Sequence, residues 1–141
     1  MNLKTFRAEI KRDEGYRATP YKCTSGRTTI GVGWNLDARG LPDHIIEMLL
    51  DISISDTQES LDKSVPGWRD MPDEAQRGLA NLTFCVGPAG VLKFTKMLGA
   101  LEGGDYETAA CEVMDSLFAL QTGERAERIA KLFRNANLKG D

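Results

Sequence analysis

Three side chains near the start of the chain could carry out acid–base chemistry: the carboxyl of Glu14, the thiol of Cys23 and the hydroxyl of Thr29. A helix ending at Glu14, followed by one strand and a turn, would let these three groups fold around a single point. The unpaired carbonyl groups at a helix C-terminus disfavour a negative carboxylate and so favour the protonated form that general-acid catalysis needs. The pattern is therefore compatible with an active site in which Glu14 is the acid.

Three glycines lie around Thr29, at Gly26, Gly31 and Gly33. Glycine gives the backbone conformational freedom and lets a ligand approach closely, so these positions would leave space beside Thr29 for a bulky ligand. The same glycines are also explained by turn and bulge geometry alone. Spacing by itself leaves both interpretations open.

The elements that must position these groups are a helix and a small sheet. Leu3, Phe6 and Ile10 recur at helical spacing, which predicts an amphipathic helix from residue 3 to about 13 that Gly15 stops. From Tyr16 onward the β-branched and aromatic residues predict a twisted sheet of two or three strands.

Helix signals return after residue 35 and continue to the end of the chain. A first helix is predicted after Pro42, and a second is opened by the capping box Ser55-Asp56-Thr57-Gln58 and broken by Val65-Pro66-Gly67. A third runs from Pro72 to Gly87-Pro88 with Leu79, Leu82 and Val86 facing inward. Further helices are predicted near 90–101, 105–119 and 123–134, followed by a frayed end from Asn135 to Asp141. A small sheet followed by a larger helical part predicts the α+β class, with a cleft where the parts meet.

Composition and charge restrict the classes of function. A chain of 141 residues fits one globular domain, and no apolar run approaches the ~20 residues that span a bilayer. The net charge of −3 argues against a dedicated nucleic-acid binder. Residues 1–39 carry eight basic and four acidic side chains, however, and the last 21 residues are also basic, whereas the middle is acidic. The two basic ends could face an anionic ligand, although ordinary solvated faces are the more common explanation.

The three cysteines are odd in number and show no C-x-x-C spacing, so neither a disulfide framework nor a zinc site is indicated. Cys85 and Cys111 lie in apolar helical segments and are expected to be buried. The single histidine, His44, is expected at the surface without a role. No export signal precedes the first helix, which predicts a protein made in the cytosol with reduced thiols.

Three separated blocks of sequence resemble the phage-type lysozymes, or endolysins. The blocks are Asp13-Glu14-Gly15-Tyr16-Arg17 with Tyr21-Lys22, Gly26 and Thr29-Ile30-Gly31-Val32-Gly33; Asn81-Leu82-Thr83-Phe84 with Val86-Gly87 and Phe94-Thr95; and Gln121-Thr122-Gly123-Glu124-Arg125-Ala126 with Arg128. They occur in the order and spacing of that family and cover most of the chain except about residues 35–70.

The resemblance implies a lysozyme-like fold and an enzyme that hydrolyses the β-1,4 bond between N-acetylmuramic acid and N-acetylglucosamine in peptidoglycan. It implies one catalytic domain over 1–141, with a small sheet lobe at about 14–40, a helical lobe formed by 1–13 and 41–141, and the active site in the cleft between them. By matching position, Glu14 would protonate the departing oxygen, Thr29 would hold the attacking water so that the sugar inverts, and Arg125 would pair with the acid. Gly31 and Phe118 would be supporting residues, with core packing favoured over substrate contact for Phe118.

Cys23 departs from the family pattern, which usually has aspartate at this position. A free thiol has a pKa of ~8.5 and is mostly neutral at pH 7, unless a neighbour such as Arg17 depresses that pKa. Three interpretations stay open: Cys23 is a thiolate base or nucleophile, it is a tolerated neighbour of a site run by Glu14 and a water at Thr29, or it marks an inactive protein. A lytic transglycosylase that forms 1,6-anhydro products and a non-catalytic peptidoglycan-binding domain are the rival functions.

The resemblance also sets expectations for cofactors, partners and location. We expect no metal or cofactor, peptidoglycan as the partner, no nucleic-acid ligand, no stable membrane insertion and a monomer. The protein would be made in the host cytoplasm and would reach the periplasm and cell wall through a holin pore at lysis.

Overall fold

The protein is described by a computed structural model that covers residues 1–139, with side chains up to residue 136. The predicted lysozyme-like α+β class is confirmed: one small antiparallel sheet is accompanied by a larger set of helices. The chain forms two compact units, the N-terminal unit Met1–Leu49 and the C-terminal unit Leu50–Asp141. The division into lobes at 14–40 and at 1–13 plus 41–141 stays a prediction.

The N-terminal unit opens with α1, Leu3–Glu14, as the spacing predicts. The side chain of Asn2 accepts a hydrogen bond from the Thr5 amide at 3.0 Å, which caps the first turn. Gly15 ends the helix at φ 86°, where its amide donates to the Lys11 carbonyl at 2.9 Å. None of the residues of α1 is buried, so its apolar positions lie at the surface.

The sheet of the N-terminal unit has three strands in the order β1-β2-β3, all antiparallel, within the predicted number. The strands are β1 Arg17–Lys22, β2 Thr28–Gly31 and β3 Trp34–Asn35, and the short helix α2, Leu36–Arg39, follows them. Thr29 on the central strand is opposite Tyr21 on one side and Asn35 on the other. This register fixes Thr29 at the centre of the sheet.

The remaining helices are α3 Asp43–Ser64, α4 Asp73–Val91, α5 Thr95–Glu102, α6 Tyr106–Met114, α7 Leu117–Thr122 and α8 Glu124–Lys139, with a 3-10 turn at Trp68–Asp70. No single helix of the described part of the chain is long and apolar enough to cross a membrane, and only the pair α4 and α5, bent by 117°, meets that test together.

Several predicted boundaries are wrong. The capping box at Ser55–Gln58 starts no helix, because the Thr57 hydroxyl donates back to the Ser53 carbonyl at 2.8 Å and α3 continues through it. The predicted helix end at Gly87-Pro88 is confirmed, because Gly87 has non-helical backbone angles, φ 81° and ψ 168°, and α4 consists of two helical segments that meet there at a kink. The helix predicted near 90–101 starts only at Thr95.

Towards the end of the chain, the predicted helix over 105–119 is split, because the Ser116 side chain caps a new helix, α7. The expected fraying from Asn135 is wrong for residues 135–139, which belong to α8, whereas residues 140 and 141 lie outside the described residues.

Among the side chains that the structure describes, the buried apolar ones all lie in the C-terminal unit, between Leu61 and Ala136. The largest of those that are completely buried are Leu61, Leu79, Leu82, Met97, Leu101, Ile129 and Phe133. Gly78 of α4 allows α8 to approach, since a Cβ atom there would lie 2.7 Å from the Phe133 ring. Within residues 1–49, by contrast, no apolar side chain is buried, and Thr29 is the one buried residue.

Cys85 and Cys111 are exposed, so the expectation that they are buried is wrong. In α6 the buried residues are Ala109, Ala110 and Val113, and Cys111 points away from them because each residue turns the helix by about 100°. His44 is exposed, as expected.

Candidate active site

Glu14 is positioned by the end of α1 and by the turn between β2 and β3. A Cβ atom built on Gly33 would lie only 2.8 Å from the Glu14 Oε2 atom and 3.1 Å from its Cδ atom. Gly33 also has φ +67°, a conformation that side chains rarely adopt. The Glu14 carboxyl group therefore contacts the backbone of Gly33 and occupies the space that a side chain at position 33 would need. Glu14 itself remains exposed to solvent.

Cys23 begins the loop that connects β1 to β2, and backbone hydrogen bonds close this loop. The Cys23 amide donates to the Arg27 carbonyl at 3.0 Å, and the Gly26 amide donates to the Cys23 carbonyl at 2.9 Å. The Cys23 Sγ atom lies 3.1 Å from the Ser25 Oγ atom. The sulfur thus contacts a residue of its own loop, and Cys23 is half-buried.

Hydrogen bonding lowers the pKa of Cys23 below the ordinary value of a free thiol, to about 7. The largest cause is the Ser25 hydroxyl, followed by backbone hydrogen bonds with Arg27 and Ser25, with a smaller effect of Thr29. Donors aimed at the sulfur stabilise its charged form. The cause is not the basic charge of Arg17, which was considered from the sequence; that guanidinium lies 4.7 Å from the Tyr21 ring centroid. A large fraction of Cys23 is therefore thiolate at neutral pH.

Thr29 is the buried member of the site, with 3% of its surface exposed. Its hydroxyl donates to the Arg27 carbonyl at 3.0 Å, so the oxygen keeps lone pairs that can accept from another group. Cys23 and Thr29 belong to the same β1–β2 hairpin, and Thr29 has a small effect on the pKa of Cys23.

Gly31 ends β2 at φ +67°, and a Cβ atom there would meet nothing within 4 Å. The residue borders a cavity of about 670 Å³ in the N-terminal unit. The other lining residues are mostly apolar or aromatic and include Tyr16, Ile30, Trp34, Leu41 and Ile45. A cavity thus lies beside Gly31, but Thr29 is not among its lining residues, so the space predicted beside Thr29 stays a prediction.

Arg125 and Phe118 lie in the C-terminal unit. The Arg125 Nε atom donates to Asn81 Oδ1 at 2.9 Å, and both residues line a groove of about 490 Å³ together with the exposed Phe84. The expected pairing of Arg125 with Glu14 stays a prediction. Phe118 is only 6% exposed and belongs to the hydrophobic core, which supports packing as its role.

Sequence reasoning missed Ser25 and Asn81 as partners of site residues. Ser25 had a usable signal, because serine two residues after a polar side chain in a Thr-Ser-Gly turn often bonds back to it. Asn81 had no local signal, since its partner Arg125 lies 44 residues away.

Comparisons with known proteins agree with the resemblance seen in the sequence. The family described as phage lysozyme matches residues 11–134. The pre-baseplate central spike protein Gp5 of Enterobacteria phage T4 is 30% identical over 92% of this chain, and the chain spans 28% of that protein's length. The probable T4-type lysozyme 2 of Dictyostelium discoideum is 27% identical over 97% of this chain and 98% of its own length.

Proposed function

This chain belongs to the phage lysozyme family, and from that membership we propose that it is a muramidase that hydrolyses the β-1,4 bond between N-acetylmuramic acid and N-acetylglucosamine in peptidoglycan. Family membership supports the general class, a peptidoglycan hydrolase of the lysozyme type. The observation that carries the proposal is the Glu14 carboxyl group held against the Gly33 backbone, in the same unit as Cys23 and Thr29.

Glu14 is the general acid of the proposed reaction. Glycosidic cleavage needs a proton on the departing oxygen, because an unprotonated sugar alkoxide is a poor leaving group. The carboxyl group is exposed and borders backbone without a side chain, so a sugar bridge can reach it. As the C–O bond breaks, the Glu14 proton moves to the oxygen and leaves a carboxylate.

A water molecule supplies the other half of the reaction. This water donates one hydrogen to the free lone pairs of Thr29 Oγ1 and the other to the Cys23 thiolate, which leaves a lone pair directed at the anomeric carbon. The thiolate takes a proton as the new C–O bond forms. After one turnover Cys23 is a thiol and Glu14 a carboxylate, and exchange with solvent restores both.

The negative sulfur has a second effect on the reaction. Positive charge develops on the sugar ring in the oxocarbenium-like transition state, and a nearby anion stabilises it. This is the effect that the aspartate usual in the family would supply, and a neutral thiol would not.

The proposed biological role is lysis of the host cell. The protein would be made in the host cytoplasm as a monomer and would reach the wall through a pore made by another protein. Expression in Gram-negative cells tests this role: lysis should follow only when the inner membrane is permeabilised, for example with chloroform. Lysis without permeabilisation would contradict it.

Replacing Glu14 by glutamine tests the chemistry. We expect Glu14→Gln to lower the clearing rate of chloroform-treated Gram-negative cells by at least ~10²-fold, because an amide cannot donate the required proton. Circular dichroism serves as the folding control. Clearing at the parental rate would show that Glu14 is not the acid.

A lytic transglycosylase is the second candidate, and the absence of the usual aspartate favours it. Such an enzyme needs one acid–base glutamate and closes a 1,6-anhydro ring with no water added. Mass spectrometry of the released fragments separates the two reactions, since hydrolysis adds the mass of one water per cut. Fragments that lack this mass would replace the hydrolase proposal by the transglycosylase.

A further inference from the structure

The β1–β2 loop, Cys23 to Arg27, is closed in a way that fixes the position of Ser25. The Cys23 amide and carbonyl groups both bond within the loop, to Arg27 and Gly26, so the loop has little freedom to open locally. Ser25 is thereby held with its Oγ atom 3.1 Å from the Cys23 Sγ atom. This spacing is a sulfur–oxygen hydrogen bond within one short loop.

The direction of that hydrogen bond depends on the charge of the sulfur. When Cys23 is a thiol, either group can donate; when it is a thiolate, only the Ser25 hydroxyl can donate. A hydrogen bond to an ionised acceptor is about twice as strong as one between neutral groups. Ser25 therefore favours the charged form and also fixes the side on which the sulfur carries its remaining lone pairs.

The charged side chains around the loop are already engaged with another residue, Thr28. The Lys22 ammonium group donates to Thr28 Oγ1 at 2.6 Å, and Asp37 of α2 accepts from the Thr28 amide at 2.7 Å. Arg27 acts on the sulfur through its backbone, and the carboxyl group of Glu14 lies against Gly33. Hydroxyl and amide groups, with Ser25 foremost, are therefore the direct partners of the sulfur.

We propose that Ser25 is a positioning residue for catalysis, which holds the Cys23 sulfur as an oriented thiolate ready to take a proton from the attacking water. The inference rests on the proposed function and extends it to a residue that does not touch the substrate. Loss of the Ser25 hydroxyl leaves the loop backbone closed but lets the thiol rotate and retain its proton.

The test uses the full chain with Cys85→Ser and Cys111→Ser, so that Cys23 is the only thiol. The rate of alkylation by iodoacetamide, followed by intact mass from acid to alkaline pH, reports the thiolate, which is the reactive form. We expect Ser25→Ala to move the midpoint up by roughly one pH unit and to slow alkylation at neutral pH roughly threefold. Ser25→Thr, which restores a hydroxyl, should return the midpoint towards that of the parent.

The same variants are then compared in wall clearing across pH. The rate of Ser25→Ala divided by that of the parent, in which the shared dependence on Glu14 cancels, should rise over the pH interval between their two alkylation midpoints. Thr24→Ala is the matched control, since Thr24 is the neighbouring exposed hydroxyl and no contact with the sulfur is found for it in the described residues. It should change neither profile.

Each other outcome contradicts the proposal in a distinct way. An alkylation midpoint in Ser25→Ala equal to that of the parent shows that Ser25 does not hold the sulfur. A shifted midpoint with an unshifted activity profile shows that the held thiolate takes no part in catalysis, while Glu14 can still be the acid. If Ser25→Ala shifts the alkylation midpoint as expected but the parent does not cut the cell wall, the proposed function itself is contradicted.

Discussion

At the scale of single residues, the site differs from the usual pair of a glutamate and an aspartate because Cys23 replaces the aspartate. A carboxylate stays charged well below neutral pH, whereas the pKa of about 7 for Cys23 places its ionisation within the working range. Fewer protons are bound as the pH rises through that value, so the thiolate fraction grows from acid to mildly alkaline conditions. In the proposed reaction, the ionisation of this sulfur therefore adds to the pH dependence set by the proton that Glu14 must carry.

The first prediction concerns that sulfur. The rate of wall clearing by the parent, divided by that of Cys23→Asp at the same pH, should rise through about pH 7 towards pH 8, because both proteins need the proton of Glu14 and only the parent needs the ionised Cys23. Cys23→Ser should lose at least ~10-fold in rate because a hydroxyl stays neutral there, and Cys23→Asp should stay active at lower pH than the parent. Equal rates for all three proteins at every pH would make Cys23 a bystander.

The second prediction concerns Gly33, whose missing side chain makes room for Glu14. Gly33→Ala should lower wall clearing by ~10-fold or more, because its methyl group would displace the carboxyl group at 2.8 Å. Gly40→Ala is the matched control, since Gly40 also has a positive φ, at 58°, but a Cβ atom there meets nothing within 4 Å.

Both glycine variants should lose roughly 1–2 kcal/mol of unfolding free energy from backbone strain. Only Gly33→Ala should lose activity beyond that effect. An equal loss of activity in both variants would show that the contact with Glu14 has no special importance.

At the scale of elements, helix ends with a local chemical cause could be predicted from the sequence, and those that depend on packing could not. Gly15 ends α1 because it adopts a positive φ that the pattern anticipates. The capping box at Ser55–Gln58 has the right letters, yet α3 continues through it because the Thr57 hydroxyl finds a carbonyl of its own helix. The same hydroxyl group can cap a new helix or bond to a carbonyl of a continuing helix, and the sequence pattern alone does not distinguish the two.

The same limit applies to the candidate site. The spacing of Glu14, Cys23 and Thr29 could be read from the sequence, and the structure places Cys23 and Thr29 in the same β1–β2 hairpin. The contact of Glu14 with Gly33 could not be read, because it joins a helix end to a turn 19 positions later. Exposure of Cys111 could have been predicted by counting 100° per residue from its buried neighbours.

The third prediction concerns the contact between α4 and α8. Gly78→Ala should lower the unfolding free energy by roughly 1–3 kcal/mol, because its methyl group would meet the Phe133 ring at 2.7 Å. Gly99→Ala in α5 is the control: nothing lies within 4 Å, so alanine should stabilise the helix by up to ~1 kcal/mol. Urea unfolding of both variants measures the difference. Equal effects would show that α4 and α8 are not closely packed at Gly78.

At the scale of the whole molecule, the buried apolar side chains and the acid–base residues lie in different units. Among the side chains described, every buried apolar one lies between Leu61 and Ala136, whereas Glu14, Cys23 and Thr29 belong to residues 1–49. Segments with few buried apolar contacts open more easily than a packed core. The N-terminal unit should therefore be the less stable part of the protein.

The fourth prediction measures that difference by amide hydrogen exchange on the full chain. Amides of β1 and β2 should be protected on the order of 10²-fold less than those in the middle of α4 and α8, because opening the sheet exposes little apolar surface. Equal protection in the sheet and in these helices would contradict the expectation.

The absence of buried apolar side chains from residues 1–49 also determines how the protein should lose activity on heating or in denaturant. Since most of the helical residues belong to the other unit, mild heating or a low urea concentration should abolish wall clearing while the far-ultraviolet circular dichroism hardly changes. Such inactivation would reverse on cooling or dilution, because the helical core would have stayed folded throughout.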